Sequence, residues 1–249
     1  MAYRLGKKQF VGVLMLAETS KNHYFSRFAA LADSENETRD CSDSSHWSFR
    51  KTKEYYSLLA FKGDAVLVLI AGRQVVTTED LEVLILGTQG VFPDGLPIES
   101  VLREAISVDA VHVIPWGAGK WFFGRGKLLS KLINSRLRNG FYLGDQGGRP
   151  LFWPKPSHIR RAEERGIRIL SGSDSLPFPE EVQRVGSFGF LMEVDFDLSR
   201  PAASIRESLR SPRVELVRFG HLQSPPRFLK NQVRMQMLKR RRGHLLSQA

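Results

Sequence analysis

The sequence predicts an α/β fold built on a mainly parallel sheet or barrel, on three observations. Short apolar runs rich in Val, Ile and Leu recur along the chain, each bounded by turn residues, which is the pattern of buried strands. Stretches with helical character separate several of these runs, and parallel strands need crossovers of that kind. With 249 residues, 42% of them hydrophobic, the chain is long enough to bury a sizeable core.

In chain order the strand candidates are "VGVLMLA" (11–17), "AVLVLIA" (65–71), "LEVLILG" (81–87), "AVHVIP" (110–115), "FYLG" (141–144), "IRILSG" (167–172) and "FGFLMEV" (188–194). The helix candidates are "NHYFSRFAALAD", "PIESVLREAIS", "RGKLLSKLINSRLRN", "SHIRRAEERG" and "RPAASIRESLRS". "AGRQVVTTEDLEVLILGT" breaks the alternation, because too few residues separate its two runs for a helix, so a hairpin or tight excursion is expected there. The polar segment from Asp33 to Ser48 reads as a mobile surface loop. No internal repeat or clear linker divides the chain; residues 1–224 are expected to form one α/β domain and residues 225–249 a basic helix and tail.

The net charge of +11 is concentrated at that end. Arg227, Lys230, Arg234, Lys239, Arg240, Arg241 and Arg242 lie between Pro225 and His244 with no acid among them, leaving the body only mildly basic. Such a tail attracts phosphate-rich polymers without sequence specificity, or is simply a solvated end. The lone Cys41 excludes an intrachain disulfide and a thiolate metal cluster, and a reducing, cytoplasmic location is expected. The opening "MAYRLGKKQFVGVLMLAETS" imitates a signal peptide but lacks a convincing cleavage site. No apolar run approaches the ~20 residues of a membrane span.

The functional signal lies in the loops at the ends of the runs. "AETS", "GRQ", "GTQG", "PWGAGKW", "GDQGGRP" and "SGSDSLP" place glycines and polar side chains at strand ends, the face on which α/β barrels and open sheets bind substrates. The carboxylates of Glu18, Asp145 and Asp174 and the cations of Lys120, Arg125 and Arg149 are expected to converge there. "GAGKW" is not a P-loop, since Ile114 and Trp121 stand where Gly and Ser or Thr are required. It reads as a glycine-rich turn that could hold a phosphate at a helix start, or as a tight turn whose Trp pair packs on the rim. The six histidines show no metal-ligand spacing, and His112, alternating with Val111 and Val113, reads as a core or supporting residue rather than a ligand. No G-x-S-x-G elbow is present. Taken alone, Asp174 in "ILSGSDSLPFP" reads first as a turn-former and only second as a functional carboxylate.

The order of these loops resembles the polymerase and histidinol phosphatase (PHP) superfamily of metal-dependent phosphoesterases, over roughly Leu5 to Val194. "LGKKQFVGVLMLAET" resembles the family's helix and strand ending in Asp-His or Glu-His, with Glu18 kept and Thr19 in place of the histidine. "GRQ" puts Gln74 where the family has a glutamate, and "VIPWG" lacks the family's histidine. "SGSDSLPFPEEVQRVG" keeps Asp174, with Leu176 replacing a histidine.

The resemblance implies a distorted (β/α)7, TIM-like barrel. Glu18, Gln74 and Asp174 would be the remaining metal positions, Asp145 and Asp174 the catalytic carboxylates, and Lys120, Arg125 and Arg149 the phosphate clamp. Without the imidazoles, this oxygen set suits no metal or a weakly held Mg²⁺ or Mn²⁺. The leading expectation is a degenerate site that binds a phosphate-bearing small molecule or nucleic acid with reduced or no hydrolysis. The alternatives are an active phosphoesterase with an oxygen-rich metal site and a nucleic-acid-associated protein acting through Arg234 to Arg242. The family's first strand has no counterpart after Met1, so an upstream segment, or an open edge covered by another segment or in a homodimer, is also expected.

Overall fold

The computed structural model describes residues 10–34 and 46–246. The elements run in the order β1 (Gly12–Met15), α1 (Tyr24–Ser34), β2 (Ser48–Lys51), β3 (Ser57–Lys62), β4 (Ala65–Ile70), β5 (Gly72–Val76), β6 (Glu82–Leu86), α2 (Ile98–Ser107), β7 (Val111–Pro115) and α3 (Phe123–Asn134). Then come β8 (Tyr142–Gln146), α4 (Ser157–Glu164), β9 (Ile169–Gly172), β10 (Phe188–Leu191), α5 (Pro201–Arg210), β11 (Val217–Gly220) and α6 (Pro225–Leu246). Each of the seven apolar runs carries a strand, and the five helical stretches carry α1 to α5. The surface loop expected from Asp33 to Ser48 lies largely outside the described residues, and Ser48 itself opens β2.

The expected (β/α)7 barrel is corrected. The strands form a four-stranded sheet in the order β1-β4-β3-β2, a five-stranded sheet in the order β5-β6-β7-β8-β9 and a β10-β11 ribbon, none closed into a barrel. The reason is in the connections. A parallel barrel needs a crossover between successive strands, but β2, β3 and β4 form an antiparallel meander, and β5 turns directly into antiparallel β6. Parallel pairing is left to β1 with β4 and to β7, β8 and β9. At the far edge β10 lies against β9 but pairs with β11 instead.

The two larger sheets are joined where β4 runs through Ala71 into β5, with Glu18 bridging to Arg73. Gly72 sits at this junction for steric reasons, since a Cβ there would lie 2.8 Å from the Leu16 carbonyl and 2.9 Å from that of Ile85. One face of the five-stranded sheet buries Val83, Ile85, Ile114 and Leu143 against α2, α3 and α4. Its other face buries Leu86, Val111, Val113 and Leu170 with Val68 and Ile70 of the first sheet and Ala202, Ile205 and Leu209 of α5. The outer side of the first sheet is closed by Phe25 and Ala32 of α1. Among the described residues no helix is long and apolar enough to cross a membrane.

Candidate functional site

Strand direction divides the six loops into two groups. Because β6 is antiparallel, its first residue Glu82 pairs with Val76 at the end of β5, and the register Leu84 with Val113 continues to bring that end level with Pro115 of β7. "PWGAGKW", "GDQGGRP" and "SGSDSLP" therefore gather at the C-terminal ends of β7, β8 and β9 together with Glu82. "GTQG" succeeds β6 at the opposite end, beside Ala71, and "GRQ" lies within β5 rather than after it.

The metal positions implied by the resemblance separate accordingly. Glu18 is buried, and its Oε1 accepts the N–H groups of Tyr24 at 2.5 Å and Phe25 at 3.0 Å, capping the start of α1. Its Oε2 lies 3.5 Å from Arg73 Nη1. The crevice bounded by Glu18, Phe25, Gly72 and Thr88 is too tight to admit a water molecule. Gln74 comes directly after Arg73 on the strand, so its side chain points to the opposite face from the Glu18–Arg73 pair. Asp174 belongs to the other loop group. Among the described residues no group of three or more His, Cys, Asp or Glu side chains is placed to hold a metal. Glu18, Gln74 and Asp174 therefore do not fit a shared ion.

Asp145 and Arg149 are both buried and bind each other through two parallel contacts of 2.8 Å, Nε to Oδ1 and Nη2 to Oδ2. Arg149 also donates to the Trp153 carbonyl at 2.9 Å, and Arg218 approaches Asp145 at 3.6 Å. The pair thus ties the β8 loop to itself, and both carboxylate oxygens are occupied. Arg125 pairs with Asp80 and donates to the Gly119 carbonyl at 3.0 Å, which staples the glycine turn to the β5-β6 hairpin.

Lys120 and Asp174 remain together at the strand ends. Lys120, half-buried, forms an ion pair with Glu82, whose charge also acts on Asp174. Asp174 stands on a left-handed backbone, φ 42°. The surrounding protein mass and then the Glu82 charge push its carboxyl above the usual aspartate range, while Lys120 pulls it back. Ser173 accepts the Gly186 N–H, and beyond Asp174 an open groove of about 390 Å³ is lined by Leu176, Pro177, Phe178, Val182 and Val185. Gln146 fixes the neighbouring loop by donating to the Trp116 carbonyl at 2.5 Å. Trp116 and Trp121 are both buried in the helix-side core, so the Trp pair packs inward while Ala118 and Gly119 stay exposed.

Glu82 escaped the reading of the sequence, although the expected hairpin carried the signal: reversing β6 brings its first residue to the ends of β7 and β9. His112 is buried, with Nδ1 2.6 Å from the Gly140 carbonyl and Nε2 without a partner among the described residues. Burial, offset in part by the carbonyls of Gly140 and Ala105, lowers its pKa and keeps the ring neutral. The basic residues at the start of α6 hold structure: Glu181 is buried and receives Arg227 Nε and Asn231 Nδ2, both at 3.0 Å, while Arg234 binds Glu180 at 3.0 Å and covers the Phe178 ring at 4.0 Å.

No protein-family model and no curated protein matches this chain. Among solved structures it is similar to PsfC from Pseudomonas syringae, at 13% identity and a TM-score of 0.44 over 69% of this chain and 67% of that one. It is also similar to the lesion-specific endonuclease PfuEndoQ from Pyrococcus furiosus, at 16% identity and a TM-score of 0.41 over 64% of this chain. The chain spans 43% of the endonuclease's length.

Proposed function

We propose that this chain binds a phosphate-bearing ligand at the ends of β7, β8 and β9, in a PHP-like site without the family's metal cluster and with hydrolysis reduced or absent. The observation that carries this reading is the grouping of Lys120, Glu82 and Asp174 at one end of the five-stranded sheet. A phosphate oxygen would compete with Glu82 for the Lys120 ammonium, and the exposed Ala118 and Gly119 of the adjoining turn allow close approach. Asp174, protonated more readily than an ordinary aspartate, would donate its proton to a second oxygen instead of repelling it. The sequence resemblance supports the same face as the ligand face. Calorimetric titration with a small phosphodiester tests the reading. Lys120→Ala is expected to weaken binding about tenfold or more, the value of one charge-assisted contact. Unchanged binding in that variant would refute the assignment.

A further inference from the structure

On the rim of this site five aromatic rings stand in one continuous row. Phe123 contacts Phe122 at a centroid distance of 6.5 Å, Phe122 contacts Trp153 at 6.0 Å, Trp153 contacts Phe152 at 6.5 Å and Phe152 contacts Phe228 at 6.2 Å. Trp153 also rests edge-on against buried Trp116 at 5.8 Å. Core packing accounts for Phe228, which is buried, but not for Phe123, Phe152 and Phe122, which are 91%, 59% and 46% exposed. Contiguous exposed rings of this kind mark an interaction surface. Phe123 is moreover held at φ 54°, a backbone conformation that bulky residues rarely adopt.

The same stretches of the sequence carry the positive charge. The rings belong to three stretches, 110–144, 146–162 and 216–249, which together contain eighteen lysines and arginines and no acidic residue. All 26 acidic residues lie in the rest of the chain, which has nineteen lysines and arginines and is net negative. The entire excess of positive charge is therefore carried by the ring-bearing segments. Much of it is paired internally, Lys120 with Glu82, Arg125 with Asp80, Lys131 with Glu99, Arg149 and Arg218 with Asp145, Lys155 with Glu163, Arg227 with Glu181 and Arg234 with Glu180. Lys127, one helical turn from Phe123, and Lys230, two residues past Phe228, are exposed; Lys230 acts on Glu180 only at long range.

We propose that this row is a stacking platform for a single-stranded nucleic acid, with bases laid on Phe123, Phe122 and Phe152 and the phosphate backbone drawn by the acid-free segments around them. Every base offers a flat face to an aromatic ring, and the backbone supplies the polyanion that the charge distribution requires. A duplex, whose base faces are hidden in its own stack, would make only the electrostatic contact. The inference extends the phosphate-binding reading from a site to a polymer, but it rests on other residues.

Fluorescence anisotropy of a labelled oligothymidylate of about 20 nucleotides with the full chain tests it. Phe123→Ala and Phe152→Ala are each expected to weaken binding about fivefold or more, with unchanged circular dichroism because both rings are exposed. Lys127→Ala with Lys230→Ala should reduce the dependence of affinity on salt, and a duplex of equal length should not respond to the ring substitutions. Absence of oligonucleotide binding at low salt would overturn the proposal. So would ring substitutions that leave it unchanged, and their releasing the protein from anionic vesicles would then assign the row to a lipid surface. Lys120→Ala separates the two readings: loss of the small diester with retention of the oligonucleotide upholds the platform, whereas loss of ring dependence removes the platform alone.

Discussion

Asp174 owes its character to position. An aspartate tolerates a left-handed backbone better than most residues because its short side chain can bond locally, and here that backbone presents the carboxyl beside Glu82 and Lys120. Its raised pKa gives the site a pH dependence whose sign can be worked out. Above that pKa the carboxylate repels a diester, and below it the neutral acid donates to one, so affinity should fall as pH rises from the ordinary aspartate range through the raised value. A diester itself keeps a single charge across this range. Asp174→Asn should flatten the profile in calorimetry, and an unchanged profile would assign the titration elsewhere. Phe123 makes the opposite use of the same backbone region. A ring at φ 54° stores strain with no packing return, so Phe123→Gly should raise stability in urea denaturation by about 1 kcal/mol. A destabilised glycine variant would mean that the ring contributes to the fold.

At the scale of elements, helix starts are held by glutamates from outside the helix. Glu18 caps α1, Glu79 accepts the Ile98 N–H at the start of α2, and Glu54 accepts the N–H groups of Ala202 at 2.9 Å and Ala203 at 2.8 Å at the start of α5. Glu54 is buried and also receives the Ser57 hydroxyl. Glu54→Ala should cost about 2 kcal/mol in thermal or chemical unfolding, with Glu54→Gln costing less because one acceptor oxygen survives. The Glu54 cap was invisible in the sequence because its partners lie far along the chain, and those of Glu18 and Glu79 because each glutamate stands outside the helix it caps, beyond the usual N-cap spacing. Glu18 shows the consequence: the residues around it suggested a ligand, and the structure uses it as a cap. Local pattern was legible where it was self-contained, as in the apolar runs, the hairpin at Gly72–Leu86 and the amphipathic helices. The strands β2, β3 and β11 went unread because "SFRK" and "VRFG" are short and polar, and "SLLAFK" runs into a turn without a bounding helix.

Across the whole molecule, the strand ends were legible but their convergence was not. Six loops pointed to one face; strand order sends three of them to β7, β8 and β9 and places the others near the β4–β5 junction. The direction of a strand is fixed by its connections and partners, not by its own residues, so the pairing of β6 with β7 and the unclosed sheet beyond β9 could not be derived from apolar runs alone. The same holds for α6, whose first turns are basic in sequence yet dock through Arg227 and Asn231 onto buried Glu181. The result is one end of the five-stranded sheet at which Lys120, Asp174 and the Ala118–Gly119 turn lie together, beside the aromatic row.

Phosphate recognition at these strand ends is proposed to proceed without a metal cluster. The most direct measurement is titration of the full chain with bis(p-nitrophenyl) phosphate, once with excess chelator and once with Mg²⁺ or Mn²⁺, tracking bound diester and released nitrophenolate together. The expected result is equal binding in both, weakened in Lys120→Ala, with little or no nitrophenolate. Binding that appears only with added metal, with hydrolysis abolished by Asp174→Asn, would contradict it and establish a working metal site.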